Sequence, residues 1–102
     1  MNSIITGNEK GKCFICGRYC HTEEHHIFGG GNRKKSEKLG LKVDLCHDCH
    51  NEPPNGIHFN AENNNRLKAI GQKAAMLAYH WTIDDFIREF GRNYIDTMRK
   101  DT

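Results

Sequence analysis

Two cysteine pairs constrain this chain more than anything else in it. Cys13-Phe14-Ile15-Cys16 and Cys46-His47-Asp48-Cys49 are each a C-x2-C unit, and 29 residues separate them. Two such knuckles brought together supply four thiolates in the closed tetrahedral arrangement that zinc prefers. Gly17 follows the first pair, where a small residue lets the chain turn tightly beneath a metal. Cys13, Cys16, Cys46 and Cys49 are therefore the expected ligands of a structural Zn²⁺. Cys20, the fifth cysteine, reads as a free thiol.

A metal also answers a shortage elsewhere. The chain has 102 residues, 36% of them hydrophobic, and 10 glycines, which rules out a large apolar core. A domain this small buries only roughly 60–65% of its unfolded surface and is marginal unless something besides apolar packing stabilises it. A structural zinc contributes folding energy directly. We expect one domain over residues 1–102: a flexible lead-in at 1–12, a zinc-organised part at 13–58 and a helical part at 60–98. No stretch approaches the ~20 apolar residues of a membrane span, and the N-terminus lacks the regions of a signal peptide. The expected location is the cytoplasm, where paired cysteines more often hold a metal than a disulfide.

The pattern of residues places the elements. Glu23 to Phe28 reads as a strand running into a loop at Gly29-Gly30-Gly31-Asn32, and Leu39 to Leu45, with Val43 and Leu45 alternating with Lys42 and Asp44, as a second. Cys46 to Asn51 begins a short helix that Pro53-Pro54-Asn55-Gly56 must end. Asn60 caps a longer helix whose apolar residues Leu67, Ile70, Ala74, Leu77, Ala78 and Trp81 follow the helical period and read as core. Thr82-Ile83-Asp84-Asp85 resembles a capping box, with aspartate for the usual Glu or Gln. It opens a last helix carrying Ile83, Phe86, Ile87, Phe90 and Tyr94. The fold class expected is α+β.

The formal net charge of +2 conceals a local excess. Arg33, Lys34, Lys35, Lys38 and Lys42 against Glu37 alone give +4 within ten residues, a basic loop suited to phosphate contacts. Of seven histidines, four cluster around the knuckles. His25 and His26 are adjacent on a strand, where neighbouring side chains point to opposite faces and can do different work. His50 follows the second knuckle, and His58 lies eight residues on, beyond the Pro-Pro turn. Three imidazoles converging from a strand, a helix and a loop form a set able to hold a second divalent ion with open positions, as a catalytic site must. His21, His47 and His80 receive no role.

The succession Cys13-x2-Cys16, Glu23-Glu24-His25-His26-Ile27, a glycine-rich loop, a β-branched strand and Leu45-Cys46-x2-Cys49-His50 resembles the HNH endonucleases. These nucleases share a ββα-metal motif, and the resemblance spans residues 13–58. The stretch through Gly56-Ile57-His58 is similar to small phage HNH proteins, including the RecA-dependent recombination nucleases. The resemblance implies a metal-dependent endonuclease that hydrolyses DNA phosphodiester bonds, phage-derived and active in DNA recombination or processing, leaving a 5′-phosphate and a 3′-hydroxyl. It implies a zinc-stabilised ββα-metal motif followed by two C-terminal helices. His26 takes the position of the general base; His25, His50 and His58 those of ligands to a catalytic divalent ion. That ion is Mg²⁺, Mn²⁺, Ni²⁺ or Zn²⁺, and imidazoles favour the softer members. Arg33, Lys34, Lys35 and Lys38 would hold flanking phosphates, positioning DNA with weak sequence preference. One departure stands out: family members commonly place an asparagine in the second strand to orient the base, and here that strand reads Gly40-Leu41-Lys42-Val43-Asp44. Asp44, Asn32 or a backbone carbonyl is left to orient His26.

Two other functions compete. A non-catalytic, zinc-stabilised nucleic-acid-binding module needs only the four cysteines and the basic loop, and leaves His25 and His26 unexplained. An interaction protein would dock a partner such as a recombinase on its C-terminal helices, and would expose clustered apolar residues on the side of 83, 87 and 94.

Overall fold

Two apolar residues alternating with charged ones, Lys42-Val43-Asp44-Leu45, fold as a strand because they have a partner in register. In the computed structural model, which describes residues 2–95, β1 (Thr22–His26) pairs antiparallel with β2 (Lys42–Cys46). Their register sets His25 opposite Val43 and His26 opposite Lys42. Among the described residues, four helices complete an α+β domain: α1 (Arg33–Leu39), α2 (His47–Asn51), α3 (Ala61–Tyr79) and α4 (Ile83–Phe90). Residues 96–98, the end of the expected helical part, lie outside the described residues. Among the described residues, no helix is long and apolar enough to cross a membrane.

The basic segment is the first departure from expectation. It is a helix and not a loop, entered through a 3₁₀ turn at Gly30–Asn32. Its buried anchor is Ser36, whose hydroxyl accepts from Phe28 N at 3.1 Å and donates to Phe28 O at 2.7 Å. One side chain thus closes the backbone of the strand end onto the helix. Lys, Glu and Leu, good helix formers, fill the remaining turns. Gly40 stops the helix with φ +75°, and a Cβ there would lie 2.5 Å from Asn2 O.

Residues 2–12 are also better held than a loose lead-in. Ile4 N donates to Gly40 O at 2.9 Å, Asn8 Oδ1 accepts from Asp44 N at 2.8 Å, and Ile5 is buried. The segment takes up polar backbone groups beside β2 that would otherwise lack partners.

Both expected caps are present: Asn60 Oδ1 accepts from Asn63 N, and Thr82 and Asp85 form a reciprocal capping box. The phase of α3 differs from the expected stripe. Its buried line runs Leu67, Gly71, Ala75 with Ala69 and Gln72, whereas Ile70 is 38% and Leu77 81% exposed. Small residues win that face because α3 crosses the end of β1 closely: a Cβ on Gly71 would meet Ile27 Cγ2 at 2.9 Å. On α4, Phe86 and Phe90 are buried and Ile87 is exposed. Phe28 joins these layers, its ring 5.4 Å from Phe86, 4.7 Å from Phe90 and 5.6 Å from Tyr94. Buried Gln72 ties in the segment after α4, donating to Asn93 Oδ1 and accepting from Tyr94 N.

Candidate metal centres

The first knuckle is a tight turn closed by Cys13 N to Arg18 O and Gly17 N to Cys13 O, both 2.9 Å, with Gly17 at φ +77°. Phe14 N donates to Asp44 O at 2.8 Å, which lays this turn against β2. The second knuckle opens where β2 ends, so Cys46 closes the strand and Cys49 lies within α2. The four sulfur atoms lie within 4.8 Å of one another. Cys16 Sγ and Cys46 Sγ are 3.8 Å apart, the edge of a tetrahedron whose corners sit ~2.3 Å from a zinc ion.

The surroundings of these thiols are divided. Burial raises Cys46, but the Cys49 backbone N–H, the Arg18 guanidinium 3.3 Å away and neighbouring thiols outweigh it and bring the group down to about 6. Burial together with the neighbouring thiols pushes Cys49 up. Without a cation the cluster resists full ionisation, since like charges cannot share so small a space. A divalent cation removes that conflict, so the donor set fits zinc.

The second cluster gathers His25, His50 and His58, one nitrogen of each lying within 4.8 Å of the others. His25 projects from β1 and is buried. His50 stands in the last turn of α2. His58 reaches back from a 3₁₀ turn at Ile57–Phe59 and places Nε2 3.1 Å from His50 Nε2. Gly56 makes that return possible, for a Cβ there would lie 2.6 Å from Glu52 O. Nitrogens bound to one ion at ~2.0–2.1 Å are roughly 2.9–3.4 Å apart, and the His50–His58 separation falls in that range. His25 Nε2 is buried with no hydrogen-bond partner. Burial first, then His50 and His58, depresses this imidazole to about 4, keeping it neutral as a ligand must be.

Glu23, which the sequence reading did not single out, accepts from His50 Nδ1 at 2.8 Å and from Asn51 Nδ2 at 3.1 Å. His47, without an assigned role from sequence, contacts the same carboxylate at 3.3 Å.

His26 is held apart from this trio by other partners. Its Nε2 meets Glu37 Oε1 at 2.8 Å, and Arg33 Nε donates to its Nδ1 at 3.4 Å. Lys42 Nζ donates to both Glu37 oxygens, at 3.1 and 2.9 Å, and lies 3.2 Å from Glu24. His26 and then Lys42 hold the Glu37 carboxyl down at about 2. None of the expected orienting groups does this work. Asp44 accepts from Thr22 Oγ1 and Gly11 N, and Asn32 Nδ2 donates to Phe90 O. Glu37 was missed because it and Arg33 face one way only once residues 33–39 are helical, four apart on a single face.

A cleft of about 530 Å³ brings the second cluster and His26 to one opening. Arg33 from α1 and Lys68 from α3 line it as well. The other basic residues part company. Lys35 donates to Glu89 O and lies 5.9 Å from the Phe90 ring centroid, docking α1 on α4. Lys34 and Lys38 are exposed and lie outside the cleft lining. Cys20 stands apart from the thiol cluster, contacting Arg18 O.

No family model, curated protein or solved structure matches the chain.

Proposed function

We propose that this chain is a metal-dependent endonuclease of the HNH type, hydrolysing DNA phosphodiester bonds, built on a zinc-stabilised ββα-metal motif. One observation carries the reading: three imidazoles grouped closely enough to share a cation and a fourth, separately held imidazole open into a single cleft that Arg33 and Lys68 also line, with Glu24 as its one carboxylate. A binding module alone gives no reason for that convergence. The order β1, β2, α2, with ligands on β1 and α2, supports it further, as does the resemblance of residues 13–58 to this family.

In this reading Arg33 and Lys68 take the phosphate oxygens and fix the backbone in the cleft. A divalent ion held by His25, His50 and His58 would supply charge stabilisation at the phosphate and the departing oxygen. His26 accepts a proton from water as the water oxygen forms its bond to phosphorus. The bond from phosphorus to the 3′-oxygen breaks, and that oxygen takes a proton from solvent, leaving a 3′-hydroxyl and a 5′-phosphate.

The decisive test is His26→Ala assayed on supercoiled plasmid and single-stranded DNA in Mg²⁺ or Mn²⁺. The variant is expected to keep its fold and zinc content and to lose cleavage. Nicking equal to the parent's, at matched purity, sinks the assignment.

A further inference from the structure

Donor and acceptor accounting around His26 goes further than naming it as a base. We infer that His26 works from Nδ1, and that Glu37 is the positioning residue that fixes this choice by holding the proton on Nε2. The inference about chemistry rests on the nuclease reading; the inference about the proton's location does not.

Each ring nitrogen faces a partner of one kind only. An ionised carboxylate accepts and never donates, so the 2.8 Å contact between Nε2 and Glu37 Oε1 requires the proton on Nε2. A guanidinium donates and never accepts, so the Arg33 Nε contact at Nδ1 requires a bare nitrogen there. Both neighbours favour the same tautomer, but the 2.8 Å carboxylate contact dominates the exposed 3.4 Å guanidinium contact, which alone does not hold the proton on Nε2. The other tautomer would set N–H against N–H at Arg33 and leave Glu37 without its hydrogen.

The rest of the fold keeps Glu37 in place. Lys42 lies opposite His26 in the strand register, so both reach the same carboxylate from β1 and β2. Lys42 is itself buried, with its ammonium between Glu37 and Glu24. Glu37 therefore occupies the role left open by the missing second-strand asparagine, but from the helix between the strands. Arg33 adds a second function. It covers Nδ1 in the free protein, and in moving to a phosphate it bares the lone pair as substrate arrives. The proton then travels from the attacking water to Nδ1, while Nε2–H stays with Glu37.

The test uses the full-length protein labelled with ¹⁵N-histidine, read by long-range proton–nitrogen correlation. The parent is expected to show His26 with Nε2 protonated and Nδ1 bare. Glu37→Ala should spread His26 over both tautomers and lower kcat about 10- to 100-fold with KM little changed. Glu37→Gln, which keeps an acceptor oxygen, should restore the parent tautomer and most of kcat. A proton on Nδ1 in the parent, or an unchanged tautomer in a folded Glu37→Ala protein, overturns the inference. Should Glu37→Ala fail to fold, the parent spectrum still decides. If the parent shows the expected tautomer but cleaves no DNA, the nuclease reading fails while the placement of the proton stands.

Discussion

The Glu23 carboxylate accepts the Nδ1 proton of His50 at 2.8 Å and thereby turns the bare Nε2 of that ring towards His25 and His58. A carboxylate behind a ligating imidazole fixes its orientation and raises its basicity. Glu23→Ala is therefore expected to weaken divalent-ion binding by the histidine cluster about 10- to 100-fold. Zinc at the thiol cluster should be unaffected. Calorimetric titration with Mn²⁺ or Ni²⁺, alongside zinc content by mass spectrometry, separates the two; unchanged affinity would dismiss the carboxylate as a ligand support.

Cys46→Ser should lose one zinc per chain and the cooperative unfolding transition with it. Cys46 is buried, ends β2 and adjoins α2, so strand and helix depend on what its sulfur binds. Circular dichroism during chelation, compared with the parent, provides the measurement. A variant that melts like the parent with its zinc gone would show that packing alone holds residues 13–49.

Gly71→Ala sets two effects against each other. Alanine in a helix interior gains about 1 kcal/mol over glycine. Here the new methyl would meet Ile27 Cγ2 at 2.9 Å and Phe28 Cε2 at 3.1 Å, and overpacking of that kind costs about 1–3 kcal/mol. Overpacking should win, lowering the urea midpoint. A raised midpoint would mean that α3 can move away from β1 at little cost.

The basic residues should separate by salt dependence. Lys68→Ala is expected to weaken DNA binding and to reduce the slope of log affinity against log salt by about 1. Lys35→Ala should leave the slope alone and reduce stability instead, since its ammonium is engaged with Glu89 and Phe90. Equal slope changes in both variants would put Lys35 on the DNA as well. Binding is measured without divalent ions, so that cleavage does not interfere.

What could be read from sequence divides by range. The thiol set and the histidine set were visible because each residue type announces its chemistry and C-x2-C spacing is local. The caps at Asn60 and Thr82 were visible for the same reason, as their partners lie three residues away. Glu23, Glu37 and Lys68 were not, because their roles depend on which strand face and which helix turn meet in space. Glu37 was hidden twice, by a segment read as a loop and by a long-range register that brings Lys42 to it. The α3 stripe failed differently: apolar residues surround so much of that helix that periodicity could not tell which side lies against β1. Only the approach at Gly71 decides it, and Leu77 is left in solvent.

Helix α2 spans five residues and carries members of both clusters, Cys49 and His50 side by side. A helix that short does not hold itself in water. With zinc in the thiol cluster, as proposed, α2 would take its shape from that ion, and His50 would be set in place by a metal it never touches. The proposed reading then implies an order of loading, zinc first and a second ion only afterwards.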